Sequence, residues 1–312
     1  MSPRRRRPAI LSLHDVVDRG WFHRVLQELS ERSRFVDLGS LVAAHVRGED
    51  PGPFLALTFD DGYKSIRTVV EPVCTELAIP FTTFVCGDVV TGGGVPWFDR
   101  VGLVLERLGI ARAAHYWRLN PHFVKSGRAL INALKQYPFD EVLAGLDLAE
   151  ANEGIDSDAL RSRYMDIDDL REVARNPLAT VGSHSHRHPI LTNLPHAQLD
   201  AEIKAGLRAI QSVCPRVTLF AYPNGQPEDF DPHVMKLLQE QGILGAVTTI
   251  QRSVRPDDDP LQLPRLGVSE GDSGDWIELK WALPWPALGT MRERSVRRKF
   301  RQLRREASRS MK

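Results

Sequence analysis

The 312-residue chain is 42% hydrophobic and 26% charged, an ordinary globular composition with enough length for one large domain or two modest ones. Its formal charge of +1 is divided: residues 291–312 carry +8 and residues 4–7 carry +4, which leaves −11 for the body. No apolar run approaches the ~20 residues that cross a bilayer, and three scattered cysteines without a CxxC pair argue against a cysteine metal site and for buried free thiols.

From the N-terminus, a basic start runs into the apolar segment 9–13 (AILSL) and stops at His14 and Asp15. That run is too short for the core of a signal peptide, so a cytoplasmic location is the expectation. A second segment, 54–59 (FLALTF), ends abruptly at Asp60, Asp61 and Gly62. Further strand-like runs follow at 80–85, 179–182, 217–222 and 243–248, and 263–268 (LPRLGV) opens a late strand. Between them, amphipathic stretches predict helices at 21–32, 64–78, 196–214 and 232–242, with a break expected at Pro72. Leu199, Ile203, Leu207 and Ile210 form an apolar stripe in the third, and Gly242 is a suitable stop for the fourth. Strand and helix in alternation indicate an α/β fold with a mostly parallel sheet. From about 92 to 169 the rhythm turns helical (99–109, 125–137, 140–150), which reads as an insertion packed over one rim of the main domain. Residues 1–290 are then one domain containing that insertion, and 291–312 a basic tail.

In a parallel α/β sheet, ligands bind at the carboxyl ends of the strands. Asp60 and Asp61 occupy such an end. A helix cap explains one aspartate comfortably but not two, whereas two carboxylates coexist when one of them binds a cation. The segment 182–191 (GSHSHRHPIL) follows another strand and holds three histidines at alternating positions. His184 and His188, four apart, fall on one side of a turn or compact loop, and two imidazoles with a carboxylate suit zinc with an open position for water. His186 points the other way and reads as a supporting or surface residue.

LTFDDG, HSHRH read as H-S-x-x-H, and FAYPNG at 220–225 together resemble the first three motifs of the polysaccharide deacetylase family, carbohydrate esterase family 4 with its NodB-homology domain. The resemblance covers most of the chain outside the 92–169 insertion and the tail. It implies a distorted (β/α)7-type barrel with a helical insertion. It also implies that Asp61, His184 and His188 hold a divalent metal, Zn2+ first, with Co2+, Ni2+ or Mn2+ as alternatives. Asp60 becomes the general base, Ser185 braces the metal-site loop, and a backbone N–H in the turn of Tyr222, Pro223 and Asn224 receives the oxyanion. Two departures from the family pattern matter. Many members carry an arginine where this chain has Ala221; Arg265 is the candidate replacement, with a plain surface arginine as the competing reading. Many members also take their general acid from a histidine late in the domain, but none occurs after His233. His14, at the end of the first strand, instead resembles the circularly permuted branch that includes deacetylases of biofilm poly-N-acetylglucosamine. Asp15 is either its orienting partner or solvent-facing.

The activity implied is metal-dependent removal of an N-acetyl group from an amino sugar of a polysaccharide or glycan precursor, as in capsule or O-antigen synthesis. Two alternatives keep the fold: a deformylase of a lipid-linked amino sugar, or an amidohydrolase of a small amide. A catalytically silent carbohydrate-binding module is a different class, disfavoured because every expected ligand and the base are present. Tyr63, Trp97, Phe98 and Tyr222 are candidates for stacking on a sugar ring, with core packing as the plainer reading; Asp99 and Arg100 are weaker substrate candidates from the insertion. In the tail, Val296, Phe300 and Leu303 share a helical face amid arginines, and Trp281 and Trp285 lie upstream. Peripheral contact with anionic lipid at the inner membrane face is the expectation, against a merely solvated tail. Nucleic acid is not expected, because the acidic body opposes it.

Overall fold

The computed structural model describes residues 7–49, 52–122 and 124–282. Among these, seven strands close into a barrel: β1 (Ala9–Leu13), β2 (Leu55–Phe59), β3 (Phe81–Val85), β4 (Ala179–Ser183), β5 (Leu219–Ala221), β6 (Gly245–Gln251) and β7 (Leu263–Gly267). Each strand pairs in parallel with its neighbour in sequence, and β7 closes on β1 with Leu11 opposite Leu266. The distorted (β/α)7 expectation is met. Because every pair is parallel, all carboxyl ends open at one mouth.

The strands read as continuous apolar runs because both faces are buried. Successive side chains alternate between faces. Leu11, Leu13, Leu57, Phe59, Phe81 and Leu266 point outward into the helical layer, while Ile10, Ala56, Phe84, Ala221, Val247 and Leu263 fill the lumen. The outer layer consists of α1 (Arg19–Ser30), α3 (Glu71–Glu76), α8 (Ile167–Arg175), α9 (His196–Gln211), α10 (Pro232–Glu240) and α11 (Gly274–Ala282). The stripe Leu199, Ile203, Leu207 and Ile210 is the buried face of α9, as its spacing requires. Gly242, at φ 82°, follows α10. The short α2 (Leu38–Val46), which periodicity did not single out, plugs the amino end of the barrel through Leu38, Leu41 and Val42. At Pro72 no sharp break occurs; a π-helical stretch, Ile66–Val70, leads directly into α3 and places the proline where no N–H partner is needed.

The helical segment contains α4 (Gly87–Gly92), α5 (Trp97–His115, kinked at Gly109), α6 (Gly127–Leu134) and α7 (Phe139–Glu153). It has a core of its own around Trp97, Val101, Val104, Leu130, Phe139 and Leu146. Its returning arm is zipped onto the β2 loop: Lys64 N–H donates to Arg163 O, Met165 N–H to Gly62 O, and Tyr63 bridges Tyr164. No described helix is long and apolar enough to cross a membrane. Trp281 does not suit an interface, since its indole is buried and its Nε1–H donates to Arg7 O at 2.7 Å. Trp285, Val296, Phe300, Leu303 and the basic stretches 4–6 and 291–312 lie outside the described residues.

Candidate active site

Alternation along β2 carries Ala56, Thr58 and Asp60 in turn into the lumen. Alternation along β7 does the same for Leu263 and Arg265. The two charges meet there. Arg265 Nη1 and Nη2 donate to the two oxygens of Asp60 at 2.7 Å each, Nε donates to Thr248 O at 2.8 Å, and Nη1 reaches Thr58 Oγ1 at 3.2 Å. Arg265 is 0% exposed and Asp60 2%, so the surface-arginine reading fails. A guanidinium is suited to this position because its planar fork matches both carboxylate oxygens. Burial works against charge on Asp60, yet Arg265 and then His184 outweigh it and hold the carboxyl below its usual value.

Asp61 would point away from the lumen if β2 continued. Its backbone turns left-handed instead (φ 72°), followed by Gly62 at 84°. This brings its carboxylate to the loop after β4, where Ser185 (φ 64°) and His188 (φ 60°) are also left-handed. Asn224, in the loop after β5, is a fourth (φ 61°) among only six such non-glycine residues described. Each costs about 1–2 kcal/mol in a non-glycine residue, and such strain persists only where surroundings over-determine it.

The result is a tight triad. Asp61 Oδ1 lies 3.4 Å from His184 Nε2 and 3.6 Å from His188 Nε2, and the three ligand atoms all fall within 4.8 Å of one another. A tetrahedral ion with bonds of about 2.1 Å sets its ligands roughly 3.4 Å apart, which the two separations from Asp61 match. Asp61 Oδ1 is buried with no hydrogen-bond partner, a costly state unless something positive meets it. His184 Nδ1–H donates to Ala221 O at 2.7 Å, which leaves Nε2 free for the ion. Despite burial, His184 and then His14 hold Asp61 well below the usual carboxylate range. Burial, followed by the charge of His184, pushes His188 down to about 3, so it presents the neutral imidazole that a metal requires. Against burial, Asp61 and Asp60 raise His184. The donor set therefore fits a divalent cation.

The loop carrying both histidines is fixed from behind. Ser185 Oγ accepts from His188 N–H at 3.1 Å, which is the bracing contact expected of that serine. Glu202 of α9, 3% exposed, accepts from the N–H groups of His186 and Arg187 at 2.9 and 2.5 Å. Sequence reasoning missed Glu202, although a carboxylate between Leu199 and Ile203 on a buried helical face was a visible signal. Gly206 lets α9 approach, since a Cβ there would lie 2.5 Å from Ser185 O. His186 is not a surface group: its Nδ1 is buried, and the ring lines a cavity of about 110 Å3 together with Cys86, Trp97 and His188.

Several aromatic candidates are placed otherwise than as sugar platforms. Tyr222 is 0% exposed, its hydroxyl donates to Leu261 O at 2.9 Å, and its ring stacks on Phe230. Tyr63 is 6% exposed and stacked on Tyr164 at 4.9 Å, and burial raises its pKa. Both sit one residue off the lumen series and turn into packed layers. Trp97 Nε1–H donates to His188 O at 2.9 Å, and the half-buried Phe98 sets its ring edge-on to His188 at 5.0 Å. Asp99 accepts from Tyr164 Oη and pairs with Arg163, while Arg100 is spent on Glu150 and Asp147. Asp15 faces Arg163 at 3.8 Å. In the turn after β5, the Tyr222 N–H is taken by Val247 O at 3.1 Å, and Pro223 has none. Of that turn, only Asn224 has an N–H left to receive an oxyanion. His14 is exposed at the end of β1, near enough for its charge to lower both Asp60 and Asp61.

A family model described as polysaccharide deacetylase matches residues 47–246, more than half of the chain. Solved structures with the same fold include IcaB from Ammonifex degensii, at TM-score 0.60 and 19% identity over 89% of this chain and 98% of that one. The deacetylase PplD from Streptococcus pyogenes, in complex with acetate, gives TM-score 0.57 and 14% identity over 91% and 100%. The deacetylase domain of BpsB from Bordetella bronchiseptica gives 0.51 and 18% over 83% and 95%. No curated protein matches significantly. His14 and Arg265 lie outside the matched span, but the strand-end aspartates and His184 and His188 lie within it, and the chain belongs to the polysaccharide deacetylase family.

Proposed function

We propose that the protein is a metal-dependent hydrolase that removes an N-acetyl group from an amino sugar of a polysaccharide or glycan precursor. One observation carries this reading. Of two adjacent carboxylates, Asp60 is neutralised by Arg265, while Asp61 keeps a free oxygen 3.4 and 3.6 Å from two imidazoles. One aspartate is thus equipped for proton transfer and the other for holding a cation.

When bound by Asp61, His184 and His188, a divalent ion, Zn2+ first, supplies Lewis acidity toward water and the acyl oxygen. Asp60 takes the proton from the attacking water, its free-carboxylate form being maintained by Arg265. The Asn224 N–H donates to the developing oxyanion. His14, as imidazolium, delivers a proton to the departing amine, without which the C–N bond does not break. Acetate release from β-linked N-acetylglucosamine oligomers, with zinc content measured in parallel, tests the reading; a zinc-loaded protein that releases none would count against it. His14→Ala is expected to lower turnover about 10²- to 10⁴-fold with zinc content intact, and combined loss of zinc would remove His14 from its assigned role.

We further propose a cytoplasmic location at the inner membrane face, a reading supported by the +8 of residues 291–312. Cosedimentation with anionic liposomes should weaken when the chain is ended at Gly289; equal partitioning would discard membrane contact.

A further inference from the structure

The helical insertion sends one side chain onto the loop assigned to the oxyanion. Lys135 is the residue that closes α6. Its Nζ crosses to donate to Asn224 Oδ1 at 2.5 Å, and its own carbonyl is pinned by Asn193 Nδ2 at 2.7 Å. Asn224 is held on every side. Its Nδ2 donates to Asp229 Oδ2 at 2.5 Å, and that oxygen also accepts from Gln226 N–H at 2.7 Å. Thr249 Oγ1 donates to Asn224 O at 2.7 Å, and Thr249 N–H donates to Gly225 O at 2.9 Å.

These bonds converge on a left-handed residue (φ 61°) whose N–H is the one left over after Val247 takes that of Tyr222. Asparagine tolerates the left-handed region without being confined to it, so the bonds to its side chain help to hold this conformation and with it the direction of the N–H. Lys135 is half-buried and Asp229 is 4% exposed, so the ammonium is drawn partly out of water to face this loop. Burial lowers the Lys135 pKa and raises that of Asp229. Such desolvation is a cost that surface packing alone does not call for.

We propose that Lys135 is a positioning residue: by clamping the Asn224 side chain it fixes the direction of the Asn224 N–H, and so makes the helical insertion part of the catalytic machinery of the barrel. The inference rests on the oxyanion role assigned to that N–H above.

The test uses the full-length, zinc-loaded protein with Lys135→Met, which removes the donor, and Lys135→Gln, which keeps an N–H donor without charge. With β-linked N-acetylglucosamine oligomers, Lys135→Met should lower kcat about tenfold or more, since losing an oxyanion donor outright costs about 10²–10³. KM and zinc content should stay at wild-type values, and Lys135→Gln should recover most of the loss. Hydrogen exchange at the amides of 224–226 should accelerate in Lys135→Met and be largely restored in Lys135→Gln. An unchanged kcat overturns the inference, as does a raised KM at constant kcat, which would make Lys135 a substrate contact. Loss of zinc and kcat together overturns it as well, by making Lys135 a general support. If the wild-type protein releases no acetate, the deacetylase reading fails; the exchange measurement still judges the clamp, and unaltered exchange in Lys135→Met refutes it.

Discussion

Asp61→Asn is expected to abolish both metal binding and hydrolysis while leaving the barrel folded. Two imidazoles remain, one fewer protein ligand than a catalytic zinc site uses. Zinc measured after gel filtration should fall from stoichiometric to background. If the cation contributes about 4 kcal/mol to the transition state, turnover falls about a thousandfold. The fold should survive because Asp61 Oδ1 makes no hydrogen bond and asparagine tolerates the left-handed backbone at φ 72°. Stability should also lose its dependence on metal: a chelator lowers the wild-type melting temperature by removing a ligand of the native state, and should leave the variant unmoved. Stoichiometric zinc and a wild-type rate in Asp61→Asn would end the metal-centre assignment.

Arg265→Met is expected to act on folding as well as on chemistry. It removes both 2.7 Å bonds to Asp60 and leaves that carboxylate 2% exposed with no guanidinium against it. Breaking a buried pair from one side costs about 3–5 kcal/mol, on the order of 10 °C in melting temperature for a chain of this size. The pH dependence has a definite sign. In the wild type the folded carboxyl of Asp60 lies below its ordinary value. Its contribution is therefore present above the unfolded value of about 3.9 and is lost as pH falls through the lower folded one. Without Arg265, burial dominates and the folded value rises, so the variant loses stability as pH climbs past about 3.9. The gap between the two proteins should widen from acid toward neutrality, and the acid limb of activity should move to higher pH. Arg265→Lys should be intermediate, since an ammonium keeps the charge but not the two-pronged geometry. A gap that stays constant with pH would show that Asp60 is not what Arg265 neutralises.

Much of this was legible in one dimension. Apolar runs bounded by turn residues marked β1 to β5 within a residue or two and β6 within three, because strands buried on both faces admit little else. Asp60, Asp61, His184 and His188 stood out because their chemistry is rare at strand ends. Short or strongly charged helices escaped: α2 has only nine residues, and α8 (IDDLREVAR) hides its apolar Leu170 and Val173 among acids and arginines. The sugar-platform readings of Tyr63 and Tyr222 went astray because proximity in sequence to a motif does not tell which way a ring turns.

The sequence by itself determined where the strands lie along the chain, the position of the carboxylates and imidazoles at strand ends, and the charge of the termini. These follow from local pattern, since hydrophobic period and residue type are properties of neighbours along the chain. Only the tertiary structure decided that Arg265, 205 residues from Asp60, enters the lumen to meet it. It likewise decided that Asp61 and His188 reach one point through left-handed backbone, and that Trp97 and Lys135 of the insertion lean on the loops of the mouth. Those facts depend on how seven strands register and close, and closure is a relation between distant segments that no local period encodes.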